Sequence, residues 1–325
     1  MMGYTDRHFR VMIRQISKHC LVYTEMVAAQ ALQECRDQEN QTATQNIERL
    51  IGFDNCEKPI ALQVGGDSPK LLAEAAKLAT HWNYDEINLN VGCPSENVQK
   101  GRFGACLMAE PAHVARCVNA MAKVSKIPIT VKHRIGIDNQ DSYEQLLNFI
   151  DQVAEAGANR FCIHARKAWL TGLDPKQNRT IPLLKYELVK QLKIDRPFIF
   201  IDINGGFENL MDSKKQLNWA DGVMVGRQVY DHPLRWGELD RIIFDDYGIS
   251  ANKPSRIIAS LFPYAEKWYA IGGRLWPIAR HLVHTVEGIK GARHWRRWFT
   301  EAANELTASP SLLLNAAKQL EDVGY

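Results

Sequence analysis

Short apolar runs alternate with longer amphipathic stretches from the N-terminus to about residue 230, and this alternation sets the expected fold. The runs cover 21–25, 60–64, 86–91, 129–134, 161–165, 198–203 and 222–225. Each is rich in Val, Ile, Leu or Phe, the composition of strands buried on both faces. Between them, 69–80, 111–124 and 143–156 carry apolar residues at helical spacing. Repeated strand–helix units predict a parallel sheet with helical crossovers. Seven strands are read, whereas a closed (β/α)8 TIM barrel needs eight, and the first helix, 6–17, follows Met1 almost at once. The expected fold is a TIM barrel with a truncated first strand, and a seven-strand doubly wound sheet is the alternative. Past Pro254 the strand-like runs stop, and the pattern becomes helices broken at Gly272-Gly273, Gly288, Gly291 and Ser309-Pro310. Two domains are therefore expected, a barrel at 1–247 and an all-helical domain at 248–325.

Composition narrows the class. With 46% hydrophobic and 24% charged residues, the chain reads as a soluble globular protein. It shows no apolar run long enough to cross a bilayer and no signal-peptide pattern, so no membrane partner is expected. Seven cysteines at irregular positions, without a C-x-x-C pair, argue against a disulfide framework or a metal site. They fit a reducing, cytoplasmic setting. Net charge is small but unevenly spread: nine Lys and Arg stand against two Glu between Lys253 and Phe299. That is either a solvated basic surface or a pointer to an anionic macromolecule.

In TIM barrels the active site lies at the C-terminal ends of the strands. Those positions hold Gln63, the run Asn88 to Pro94, Lys132-His133-Arg134, His164-Ala165-Arg166, Asn204-Gly205-Gly206 and Gly226-Arg227. Loops after the last two strands often bind phosphate, and glycine lets backbone N–H groups approach its oxygens. Asn204-Gly205-Gly206 with Gly226-Arg227 fits that use, or else simply turns the chain tightly. Lys132 is a fixed cation suited to an anion that forms during reaction, such as a reduced flavin charged at N1 and O2, unless it snorkels to the rim. Gln63 offers a donor and an acceptor to an amide-like ring edge. Cys93 lies where a strand gives way to a loop, which favours function there. The other six cysteines read as buried and structural.

The motifs, in order, carry a resemblance that covers nearly the whole chain. They are the segment Met1 to Arg7, Tyr23-Thr24-Glu25-Met26, Ala61 to Gly66, Asp85 to Met108, Val131 to Gly136 and Ile163 to Leu170. Ile203-Asn204-Gly205-Gly206, Asp221 to Arg227 and Gly291 to Arg297 complete the set. The chain resembles the A-type tRNA-dihydrouridine synthases. That resemblance implies an FMN-holding barrel joined to a helical bundle that grips tRNA, with NADPH as the reductant. Hydride would pass from flavin N5 to C6 of a uracil in the D-loop, at positions 20 and 20a, while Cys93 protonates C5 from the opposite face. A general acid must hold its proton at working pH, where a nucleophilic thiolate must have lost it.

By the same resemblance, Met1, Gln63 and Lys132 would meet the flavin ring. His164, Asn204, Gly205, Gly206, Gly226 and Arg227 would hold its phosphate end. Asn90, Lys176, Asn178 and Arg179 would contact tRNA, Arg179 foremost, and Arg293 with Arg296 would set its orientation. Arg293 and Arg296 stand three apart on one helix face. Trp295 and Trp298 read as packing. The family motif opens with Ala-Pro ahead of the methionine, so an in-frame upstream segment ending in Ala-Pro is expected. The competing functions are an FMN barrel oxidoreductase acting on a free pyrimidine or dihydroorotate-like molecule, and a tRNA-binding protein without catalysis.

Overall fold

The computed structural model describes residues 1–37, 41–248 and 253–325. The stretch 249–252, in the expected domain boundary, lies outside the described residues. Eight strands form one sheet: β1 (Val22–Tyr23), β2 (Val27–Ala28), β3 (Ile60–Gly65), β4 (Glu86–Val91), β5 (Ile129–Arg134), β6 (Arg160–His164), β7 (Phe200–Asn204) and β8 (Gly222–Met224). Neighbours run β1-β3-β4-β5-β6-β7-β8, with β2 pairing alongside β3. Every pair from β2–β3 to β7–β8 is parallel. Strands β3 to β8 follow each other in chain order with no switch point, which excludes the doubly wound alternative. Parallel strands in chain order with helices between them follow the strand–helix repeat expected of a TIM barrel.

Two local differences from the sequence pattern have physical causes. The run 21–25 pairs only at Val22–Tyr23, and a second short strand forms at Val27–Ala28 after the polar pair Thr24-Glu25. Strand β7 begins at Phe200 rather than 198, because the chain is still turning at Pro197, with Ile199 N–H donating to Arg196 O at 3.1 Å.

The helices start where capping predicts. Helix Pro69–His81 follows Ser68, whose hydroxyl accepts from Leu71 N–H, and has Pro in its first turn. Helix Tyr143–Glu155 carries a Ser142/Gln145 capping box and buries Leu146, Phe149, Ile150 and Val153.

The described chain divides into two compact units. The first holds Met1, 23–53 and 59–225, and the second holds 2–22, 54–58 and 226–325. The N-terminal helix, Arg7–Ile13, thus groups with the C-terminal helices. Asp6 caps it and also meets His281 at 2.9 Å, His8 Nδ1 meets Tyr264 OH at 2.8 Å, and Arg10 pairs with Glu57 at 2.5 Å. No helix of the described residues is long and apolar enough to cross a membrane.

Strand parity sorts β5 into two chemistries. Val131 and His133 face the surrounding helices, and the His133 ring packs 4.9 Å from Phe149 and 5.8 Å from Phe161. Its Nδ1 meets Arg134 O at 2.7 Å, and burial pushes its pKa down to about 4. The folded protein therefore keeps His133 neutral, while the unfolded chain protonates it below about pH 6.5. Stability from this group is complete above that pH and falls on acidification toward 4. Between pH 7 and 5 the loss should be about 2 kcal/mol. Thermal unfolding at both pH values should show a flatter dependence in His133→Phe; an unchanged slope would refute the assignment.

Candidate active site

Strand β4 alternates Glu86, Asn88 and Asn90 on one face with Ile87, Leu89 and Val91 on the other, and all six are buried. The polar face builds a ladder across the sheet. Tyr23 OH donates to Glu86 at 2.7 Å, Thr130 Oγ1 to Glu86 at 3.1 Å, and Asn88 Nδ2 to Thr130 Oγ1 at 2.8 Å. Gln63 Nε2 then donates to Asn88 Oδ1, and Asn90 Nδ2 to Gln63 Oε1, each at 2.9 Å. Amides in such a chain are satisfied and fixed, so their orientation is set before any ligand arrives.

The ladder ends at Cys93. Asn90 Oδ1 accepts from the N–H groups of both Gly92 and Cys93 at 3.0 Å. On the other side, Ala105 N–H donates to Cys93 O at 2.8 Å. Gly104 permits that approach: its φ is +79°, and a Cβ there would lie 2.5 Å from Cys93 O. The Cys93 backbone is thus clamped at both ends, while its half-buried Sγ touches only Ser95 Oγ, at 3.5 Å, among the hydrogen-bonding partners seen. Cys117 and Cys162 are buried with thiols pushed up to about 12 by desolvation, the inert state expected of structural cysteines. Cys20, Cys35 and Cys106 are half-buried and Cys56, in the 3-10 turn Asn55–Glu57, is exposed, so these four depart from the expected burial.

Register places Asn90, Lys132, Cys162 and Asp202 in one row across β4 to β7. Lys132 makes no hydrogen bond or ion pair with another described residue. Burial depresses its pKa, Arg134 and Arg179 push the same way, and the thiols of Cys162 and Cys93 oppose them. The next row holds Arg134, His164, Asn204 and Met224. Asn204 Nδ2 donates to Met224 O at 2.7 Å, fixing the start of the glycine turn. Gly205 and Gly206 adopt φ of +112° and +80°; a Cβ on the first would come 3.1 Å from the His164 ring, and on the second 2.6 Å from Leu184. Only glycine suits this turn. Beneath these rows, Arg160 pairs with Glu86 and, at 3.2 Å, with Asp202. Burial raises the Asp202 pKa to about 6 in spite of Arg160.

Gln63, Asn90, Cys93, Lys132, His164 and Asn204–Gly206 thus belong to one sheet and the loops at its strand ends. Met1 is part-buried in the same unit. Gly226 and Arg227 follow β8 in the chain but belong to the second unit, where Gly226 precedes the short helix Arg227–Asp231 and Arg227 is exposed. In the loop after β6, Lys176 is exposed and Arg179 half-buried, whereas Asn178 is fully buried and pins the loop to itself. Arg293 and Arg296 are exposed on helix Ala292–Asn304, whose other side buries Trp295 against Phe299 at 4.8 Å. Sequence reasoning passed over Glu86, Thr130, Arg160 and Asp202. Their signal was the period-two polar alternation inside apolar runs.

A family model for dihydrouridine synthase (Dus) matches residues 1–321. The chain belongs to the dihydrouridine synthase family. Its relatives include tRNA-dihydrouridine(20/20a) synthases from Synechocystis sp., 49% identical over 97% of this chain and 91% of that protein, and from Shewanella oneidensis, 48% identical over 94% and 88%. Another, from Escherichia coli K12, is 46% identical over 99% of this chain and 90% of its own length. Among solved structures, morphinone reductase aligns with a TM-score of 0.48 and 12% identity over 79% of this chain and 85% of that one, too distant to carry a conclusion.

Dihydrouridine synthases are flavin-dependent oxidoreductases that reduce uridine in tRNA. Family membership overturns the alternatives of a small-molecule FMN oxidoreductase and of a non-catalytic tRNA binder. The residues present fit a flavin. Lys132 is a half-buried cation with no ion-pair partner among the described residues, Gln63 and Asn90 present ordered amides, and the Gly205-Gly206 backbone is open where side chains would intrude.

Proposed function

We propose that this enzyme converts uridine to 5,6-dihydrouridine at positions 20 and 20a of the tRNA D-loop, with NADPH as reductant, in the cytoplasm. FMN, when bound, supplies the hydride that adds to C6. Cys93 gives its thiol proton to C5, and the thiolate left behind regains a proton from solvent. The observation that carries this role is the double clamp on the Cys93 backbone, which fixes the Cα–Cβ direction and leaves the thiol nearly unengaged. Lys132, Gln63 and Met1 hold the ring edge. His164, Asn204, Gly205, Gly206, Gly226 and Arg227 hold the phosphate.

Asn90 orders the acid and stands nearest the base. Lys176 and Arg179 meet the tRNA backbone, and Arg293 with Arg296 orients it. A D-loop uridine must be turned out of its stack to reach such a site, and the basic helical region supplies the grip for that. The first compact unit carries the flavin chemistry apart from Gly226 and Arg227, and the helical C-terminal part adds Arg293 and Arg296 to the tRNA contacts of Asn90, Lys176 and Arg179.

The test is turnover of an unmodified tRNA transcript with FMN and NADPH, followed by mass-spectrometric mapping. Dihydrouridine should form at 20 and 20a, with free uridine slower by at least about a hundredfold because it forgoes the remote binding energy. Modification at 16 or 17, or equal turnover of the nucleoside, would overturn the proposal.

A further inference from the structure

Arg134 is a buried cation that faces no carboxylate. It ends β5 on the same face as Thr130 and Lys132, is 4% exposed, and pairs with no Asp or Glu among the described residues. Its nitrogens donate instead to three backbone carbonyls: Nε to Gly92 at 2.9 Å, and Nη1 to Lys167 at 2.9 Å and Asn178 at 3.0 Å. The first carbonyl immediately precedes Cys93. The others lie at the root of the loop after β6 and in its 3-10 turn, Gln177–Arg179, beside Lys176.

Local chemistry makes both reaches possible. A Cβ on Gly92 would lie 3.2 Å from His133 Cα, so the strand end lies flush on β5 and its carbonyl falls within reach of the guanidinium. In the loop, the Asn178 side chain accepts from Trp169 N–H at 2.8 Å and donates to Trp169 O at 2.9 Å and Leu173 O at 3.1 Å. Residues 169–178 are therefore tied into one piece. Gln99 adds a neutral bridge between the same two segments, with Nε2 donating to Pro94 O and Leu170 O at 2.9 Å each. The Arg134 link is the stronger, because hydrogen bonds from an ionised donor are about twice as strong as neutral ones. A planar fork also holds two directions in a fixed geometry from separate nitrogens, whereas a lysine presents its donors from one rotatable nitrogen.

We infer that Arg134 is a positioning residue that sets the Cys93 segment and the loop carrying Lys176 and Arg179 as a single unit. The inference rests on the proposed role of Cys93 and adds to it a means by which docking of tRNA on that loop fixes the aim of the acid. A misplacement of about 1 Å at a reacting group costs on the order of a hundredfold in rate.

Arg134→Lys keeps the charge and loses the fork. In FMN-loaded, tRNA-free protein, hydrogen–deuterium exchange should rise together in peptides spanning 91–95 and 167–180, with the visible flavin spectrum unchanged. Flavin reduction by NADPH should stay within about twofold of wild type, while reoxidation by tRNA slows about 10- to 100-fold. Gln99→Ala should move both measurements the same way by less. Exchange that rises in one segment alone, or flavin reduction slowed as much as reoxidation, would overturn the coupling in favour of a purely structural arginine. The exchange measurement involves no turnover, so it judges Arg134 by itself; wild-type reoxidation in Cys93→Ala would instead overturn the role of Cys93.

Discussion

Cys93→Ala should lower dihydrouridine formation about 10²- to 10⁴-fold, the range over which a positioned general acid acts. The fold should tolerate the change. Alanine keeps the N–H that Asn90 Oδ1 accepts and the carbonyl to which Ala105 N–H donates, so both clamps survive. The lost contact is the 3.5 Å approach to Ser95 Oγ, and a half-buried thiol leaves little cavity. Melting temperature, FMN binding and flavin reduction by NADPH should therefore stay near wild type. The defect should appear when reduced enzyme is mixed with tRNA in a stopped-flow instrument and flavin reoxidation is followed. Cys93→Ser should remain slow, because an alkanol gives up its proton far less readily than a thiol. Reoxidation within about tenfold of wild type in the alanine variant would remove Cys93 from the acid role.

What could be read from the sequence follows from which forces act locally. Strands β3 to β6 were legible because their outward residues are β-branched or aliphatic, as in Ile87, Leu89 and Val91, and helix starts at Ser68 and Ser142 carried their own caps. Cys93 stood out from six other cysteines only by its place at a strand end. The inward chemistry was harder. Glu86 and Asp202 sit inside apolar runs, and their partner Arg160 is 74 positions from one and 42 from the other, so no local pattern joins them. Arg134 was visible as part of Lys132-His133-Arg134, but its task depends on carbonyls of Gly92, Lys167 and Asn178, which have no sequence signature. The grouping of the helix Arg7–Ile13 with the C-terminal helices was likewise hidden. It rests on pairs such as Asp6–His281 and His8–Tyr264, each spanning most of the chain.

Arg160→Met should cost about 3 kcal/mol or more at pH 7.5, since it leaves two enclosed carboxylates without their cation. Glu86 and Asp202 have side chains only 5% and 14% exposed, so solvent does little to replace the lost partner. For a protein of this size that corresponds to a fall in Tm of roughly 4 °C. The pH dependence separates this cause from a packing defect. Asp202 already has its pKa raised by burial to about 6, and Arg160 is what holds it that low. Without Arg160 it should rise further and take up a proton nearer neutrality. An acid whose folded pKa exceeds its unfolded value favours the folded state at low pH and loses that contribution as pH rises through the folded pKa. The deficit of Arg160→Met relative to wild type should therefore shrink between pH 7.5 and 5.5, and the acid response of His133, common to both proteins, cancels in the difference. Adding Asp202→Asn should restore part of the stability at pH 7.5 and reverse the pH dependence of the deficit, because only wild type then keeps an Asp202 that takes up a proton toward pH 5.5. Denaturant unfolding of the three variants at both pH values decides the matter. A deficit equal at the two pH values would mean that Arg160 supports the sheet by packing its aliphatic stem, and that the charge beneath Lys132 and Cys162 is balanced by other groups.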